Sequence, residues 1–323
     1  MSTRRELLSA LTALPLVSLL GSRARAADAC SAKKLATMMG DYPHSHALHT
    51  GRVKSPCVQL DIAPVKVPST AFARTVAMEF DVSELSFVTF LQAKAAGRKL
   101  VLMPAVFLSR FQHPFLVYNS ERGVLKPKDL EHAKVGVRLF TATTPSWLRG
   151  ILADDYGVDV AKIQWRAWQK PNVPEWRDPP NVTMIPPPPQ SDLNEMLLKG
   201  EVDAIVNDPV PDDPRVKPVI PNPAAAAKTW QAKHHAIQIN HMVVVKEELT
   251  RSDPGAVREV WRMLAESKRV ANEPAVESGF TPFGLQTNRP YMEVAIDYFY
   301  RTGMIPKRYA VDELFDDVTA TLA

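Results

Sequence analysis

From residue 34 onward, short apolar runs alternate with stretches whose apolar positions recur every three or four residues. The runs predict strands over 34–39, 58–67, 81–86, 99–107, 114–119, 134–140, 163–168, 202–206 and 236–246. The longer period predicts helices over 69–78, 87–96, 146–156, 191–198, 253–270, 291–302 and 311–322. Ser69 and Ser191 stand where helix caps are expected, and Asp253-Pro254 reads as the start of the helix with the clearest stripe, Val257, Val260, Trp261 and Leu264. Between 172 and 190 the chain is rich in proline, including Pro186 to Pro189, and reads as an extended, semi-rigid loop. Strands alternating with helices predict an α/β fold: two lobes, each a doubly wound, mainly parallel sheet. The pattern occurs twice and a long strand returns late. The lobes are therefore expected as 27–119 with 237–323, and 120–236.

The first 26 residues follow another pattern. Arg4-Arg5 precedes an apolar stretch from Leu7 to Leu20, then Ala24-Arg25-Ala26 supplies small residues for cleavage. Residues 1–26 read as an export signal of the twin-arginine type, which predicts a periplasmic location. Its apolar run of about 14 residues is short of the roughly 20 that span a bilayer. Cleavage after Ala26 removes Arg4, Arg5, Arg23, Arg25 and Glu6, so 39 basic and 35 acidic residues become 35 and 34, and the formal charge falls from +4 to +1. The remainder has no dense Lys/Arg face for nucleic acid and no second apolar run long enough to cross a membrane. Cys30 and Cys57 survive cleavage. They read either as one disulfide or as two unpaired thiols.

In open α/β sheets, ligands sit beyond the carboxyl ends of strands, so the turns there carry the candidate chemistry. Tyr42 and His44 follow the first strand and offer a ring, a hydroxyl and an imidazole. His44, His46 and His49 lack the spacing and the carboxylate company of a metal site. Ser86 starts a helix, which is either a plain cap or an anion seat, with Glu84 beside it as an acid/base group or a partner for a basic residue. Arg110 and His113 follow the fourth strand, and a guanidinium binds carboxylates in a planar, two-pronged way. Thr141, Thr143 and Thr144 lie between a strand and a helix start and could cradle an anion. Arg149 is either a carboxylate ligand or the ion-pair partner of Asp154 or Asp155. Asn207 ends a strand, and His241 lies within the returning one. No Gly-rich phosphate loop or nucleophile elbow is present, and no cofactor is expected.

The segments 80–86 (Phe-Asp-Val-Ser-Glu-Leu-Ser), 106–113 (Val-Phe-Leu-Ser-Arg-Phe-Gln-His), 147–152, 200–204 and 239–241 together resemble the 4,5-dihydroxyphthalate decarboxylase-like family. That family is similar to type II periplasmic solute-binding proteins. The resemblance runs from about Leu35 to about Phe315. It implies the two-lobed fold. It also implies one of two activities: decarboxylation of an aromatic dicarboxylate, or solute binding for an ABC transporter with an inner-membrane permease as partner. Decarboxylation would draw its proton donor from Glu84, His113 or His241. At His44-Ser45-His46 the chain departs from the Arg-Thr-Arg-like stretch of the decarboxylases. With the export signal, the expectation is a periplasmic solute-binding protein for an aromatic or similar small carboxylate. Its expected ligand set is Tyr42, His44, Ser86, Arg110, His113, Thr141, Thr143, Thr144, Arg149 and Asn207.

Overall fold

The computed structural model describes residues 32–190, 192–272 and 279–323. The expected export signal, Cys30 and Ser191 lie outside the described residues. In chain order the elements are β1 (Lys33–Met38), α1 (His46–His49), β2 (Val58–Ile62), α2 (Phe72–Val76), β3 (Val82–Ser86), α3 (Phe87–Ala95), β4 (Leu100–Ser109), β5 (Leu116–Asn119), β6 (Lys134–Val137), α4 (Thr143–Tyr156), β7 (Gln164–Ala167), β8 (Val182–Met184), α5 (Leu193–Lys199), β9 (Ala204–Val206), β10 (Val216–Pro218), α6 (Pro223–His234), β11 (Ile239–Lys246), α7 (Glu247–Ser252), α8 (Pro254–Val270) and α9 (Leu285–Arg301).

Two sheets form, in the orders β2-β1-β3-β11-β4 and β10-β5-β9-β6-β7-β8. In the first, β2, β1 and β3 run parallel and the returning β11 runs antiparallel to both β3 and β4. In the second, β9, β6, β7 and β8 run parallel, with β5 antiparallel to its neighbours β9 and β10. Each sheet is therefore mixed. The strands that begin and end each crossing between sheets supply the antiparallel pairs. The first crossing falls between Ser109 and Leu116, ahead of the expected break at 119/120, because β5 already pairs with β9. The second falls between Pro218 and Ile239.

The core follows from which strands are covered. β4 is apolar and buried along nearly its whole length, as a strand covered on both faces must be. In α8 the stripe Val257, Val260, Trp261 and Leu264 is buried beneath sheet one. The Asp253 carboxylate caps this helix by accepting from Ala256 N at 2.9 Å. An aromatic cluster joins the halves. The ring centroid of Trp147, from α4, lies 5.5 Å from that of Phe299 and 5.8 Å from that of Trp230, and the Trp147 indole donates to Ile239 O at 2.8 Å. Gly150 lets α4 approach α9, since a Cβ there would sit 2.0 Å from the Tyr298 ring. Truncating such a buried aromatic costs roughly 3–5 kcal/mol.

Several expectations are corrected. The helix expected at 69–78 is a 3-10 turn at Pro68–Thr70 followed by α2, with Ala71 rather than Ser69 at the cap. Asp192 caps α5, accepting from Asn194 N and Glu195 N. The expected C-terminal helix 311–322 reduces to 3-10 turns at Val311–Leu314 and Thr319–Thr321. The proline-rich segment is not merely a loop: it contains β8. It also straps the lobes together, because Val173, 2% exposed, packs with Val76 and Ala93 of lobe one, and Glu175 pairs with Arg98 at 2.7 Å. Among the described residues no helix is long and apolar enough to cross a membrane.

Candidate functional site

Where the carboxyl ends of the parallel strands of both sheets converge, a cavity of about 490 Å³ opens. Lobe one contributes Tyr42, Phe72, Ser86, Arg110 and His241, and lobe two contributes Arg138, Thr143, Thr144, Trp168 and Asn207. The strand-to-turn logic of open α/β sheets accounts for this placement. Tyr42, Ser86, Arg110, Arg138, Trp168 and Asn207 sit at a strand end or on the segment just beyond it, whereas Thr143 and Thr144 open α4, Phe72 lies on α2 and His241 lies near the start of β11.

The lobe-one wall is organised by a carboxylate that is not on the cavity surface. Glu84 is fully buried. Its Oε2 accepts from Gly40 N at 2.8 Å. Its Oε1 accepts from Tyr42 OH at 2.8 Å and lies 2.6 Å from His241 Nδ1. A buried carboxylate is tolerated only when its oxygens are satisfied, and here donors engage both. Gly40 is required locally, because a Cβ there would come within 2.6 Å of the Tyr42 ring. Burial, and then the neighbouring Glu84 charge, push the Tyr42 phenol well above its ordinary pKa, so Tyr42 stays a donor. With Nδ1 on Glu84, the other nitrogen of His241, Nε2, has no hydrogen-bond partner among the described residues, and the ring is braced edge-on against Phe72 at 5.1 Å.

The lobe-two wall carries one cation, Arg138, and helix-start amides. Arg138 follows β6 and bonds the Gln169 side chain. α4 begins at Thr143, three residues earlier than expected, with Ala142 at its cap and no side chain bonded to its first amides. Arg110, from lobe one, reaches across to pair with Asp208 beyond β9, approaches Thr144 Oγ1 at 3.5 Å, and lies 4.3 Å over the Phe115 ring.

The residues singled out from sequence therefore divide. Tyr42, Ser86, Arg110, Thr143, Thr144, Asn207 and His241 line the cavity. Ser86 also caps α3, its hydroxyl accepting from Thr89 N. Glu84, His44, His113, Thr141 and Arg149 do not line it. His44 is buried and stacks on Tyr42 at 5.3 Å. Burial, and then the Lys268 charge, draw its pKa to about 4. His113 is buried beside Phe111 and Trp230 at the first crossing, its pKa drawn by burial to about 4. Thr141 is fully buried. Arg149 is buried, donates to Phe140 O at 3.2 Å and lies 4.1 Å over the Phe140 ring. It does not line the cavity, and it pairs with neither Asp154 nor Asp155, which pair with Arg301 and Lys233. Residue type and spacing do not say which way a helical arginine points.

Arg138, Trp168, Asn172 and Asn240 line the cavity and were not singled out. Arg138 follows β6 as Arg110 follows β4. It went unread because the strand was expected to continue to Phe140, whereas β6 ends at Val137.

No family model matches the chain. A 4,5-dihydroxyphthalate decarboxylase of Comamonas testosteroni is 26% identical over 250 residues, covering 74% of this chain and 76% of that protein. Among solved structures, the alkanesulfonate-binding protein SsuA of Xanthomonas axonopodis pv. citri, bound to MOPS, superimposes with a TM-score of 0.53 at 15% identity, covering 88% of this chain and 98% of that one. The periplasmic aliphatic sulphonate binding protein SsuA of Escherichia coli gives 0.53 at 14% identity, with the same coverage of 88% and 98%. In sequence the chain is thus similar to 4,5-dihydroxyphthalate decarboxylases, and its fold is the two-lobed one of the periplasmic binding proteins.

Proposed function

We propose that the chain is a periplasmic solute-binding protein that holds an aromatic or similar small carboxylate between its lobes and hands it to an inner-membrane ABC permease. The observation that carries this reading is the cavity itself, walled from both lobes by guanidinium, hydroxyl and aromatic groups. A pocket of this size suits a one-ring acid, with Tyr42, Phe72 and Trp168 for the ring and polar groups for its substituents. The twin-arginine-like leader supports export. The test is thermal unfolding of the mature chain against a panel of aromatic and aliphatic carboxylates. At a hundredfold excess over Kd, a ligand adds about 2.7 kcal/mol, which raises Tm by several degrees in a chain of this size. A flat response across the panel would sink the reading.

A second reading, a cofactor-free decarboxylase, is favoured by the Glu84–His241 contact and by the likeness to the Comamonas enzyme. In it, a proton held at His241 Nε2 passes to the carboxyl-bearing ring carbon while Glu84 holds Nδ1–H. The carbon–carbon bond then breaks, its electron pair returns to the ring and carbon dioxide leaves. The imidazole regains a proton from solvent. Carbon dioxide release from 4,5-dihydroxyphthalate by the wild type, lost in His241→Asn, is the expected result. No release from the wild type would remove this reading and leave the first standing.

A further inference from the structure

The two arginines on the cavity are not equivalent. Arg110 is already matched by Asp208, which stands on the opposite lobe. Arg138 has no carboxylate within ion-pair distance among the described residues. Among the described residues its guanidinium bonds only the neutral Gln169 side chain, and its carbonyl accepts from Gln169 N at 2.9 Å. It is half-buried on the cavity wall, and burial alone lowers its pKa, with no acid opposing that effect. A cation drawn partly out of water with no counter-charge is costly in isolation. Gln169 holds it from both backbone and side chain, so the fork is fixed before any ligand arrives. The unbonded first amides of α4, at Thr143 and Thr144, border the same cavity and favour negative charge there.

We propose that Arg138 is the seat of the ligand's anionic group, and that Asp208, by occupying Arg110, limits the cleft to ligands with one anionic head. The inference rests on the small-carboxylate reading above and deepens it. The favoured class is an aromatic monocarboxylate whose far end carries hydroxyl or apolar substituents toward Tyr42 and His241. A dianion such as phthalate must either leave its second carboxylate unmatched or displace Asp208 from Arg110.

The test is calorimetric titration of the full chain with benzoate and 4-hydroxybenzoate as monoanions, and phthalate and terephthalate as dianions. Arg138→Gln is expected to weaken monocarboxylate binding about tenfold to hundredfold. Arg138→Lys, which keeps the charge but not the two-pronged geometry, should fall between. It also serves as the folded comparison if Arg138→Gln does not fold. Asp208→Asn is expected to raise dicarboxylate affinity about tenfold more than it raises monocarboxylate affinity. If the wild type binds monocarboxylates and both Arg138 variants stay within threefold of it, the assignment of Arg138 is wrong while the carboxylate reading survives. If the wild type prefers the dicarboxylates, the single-head limit is wrong. If it binds neither class, the carboxylate reading falls, and this inference with it.

Discussion

Glu84 is the residue on which the lobe-one wall turns, because Gly40, Tyr42 and His241 all meet its two oxygens. Gly40→Ala puts a Cβ into the Tyr42 ring at 2.6 Å. The ring is a movable end, so the ring shifts and the fold survives. The expected outcome is a loss of ligand affinity of about tenfold with Tm nearly unchanged; an equal loss of Tm would mean that the backbone gave way instead. His44 and His113 set the acid limit. Both are held neutral, at about 4 against an ordinary 6.5. Between those values the unfolded chain takes up protons that the folded chain refuses, so stability falls as pH drops from 6.5 toward 4, by about 1.4 kcal/mol per pH unit for each histidine. His113→Phe, placing an apolar ring beside Phe111 and Trp230, should flatten that slope. Denaturant midpoints measured at several pH values decide it, and an unchanged slope rules out His113 as a source. At this scale the candidate site was only partly legible. Tyr42 and Arg110 could be singled out because they follow strands, whereas His241 was expected inside one and lies near the start of β11. His113 and Arg149 are of the same residue types, and only the packing around them shows that they face inward.

The elements were more legible, since period and caps are local properties. β1, β3, α3 and β4 stand within two residues of where the apolar pattern predicts them. α8 was legible in both stripe and cap. Asp253→Ala is expected to cost about 1 kcal/mol, a drop of about 2 °C in Tm readable by thermal unfolding, and more if the Lys33 contact at 3.2 Å also matters. What escaped had weak local signals. β8 and β10 are three residues each; prolines stand two residues to either side of β8, and β10 contains one. α6 is alanine-rich and half polar, so no stripe marks it, although Trp230 buries its face in the aromatic cluster. The segment after Val311 has helical spacing but settles into single turns. Its side chains Val311 and Leu314 are buried there without a longer helix.

For the whole molecule, two lobes were legible because a parallel sheet needs crossovers and the strand pattern restarts after β4. The positions of the crossings were not, because a strand such as β5 looks alike whichever sheet it joins. The lobes meet at more than the two crossings. Gln112 Nε2, on the first crossing, donates to Asn240 Oδ1 of β11 at 2.7 Å, and the proline-rich strap anchors Val173 in lobe one while Asn172, one residue earlier, borders the cavity. Val173→Asp should release that anchor, and the measurement is stopped-flow association with a fluorescent aromatic acid. Both on-rate and off-rate are expected to rise several-fold while their ratio changes less; unchanged rates would show that the strap does not guard the opening. A cleft fastened in this way changes the economics of capture. Entry and exit then pass through the same latch, and a solute's residence is set by how rarely Val173 leaves its hole.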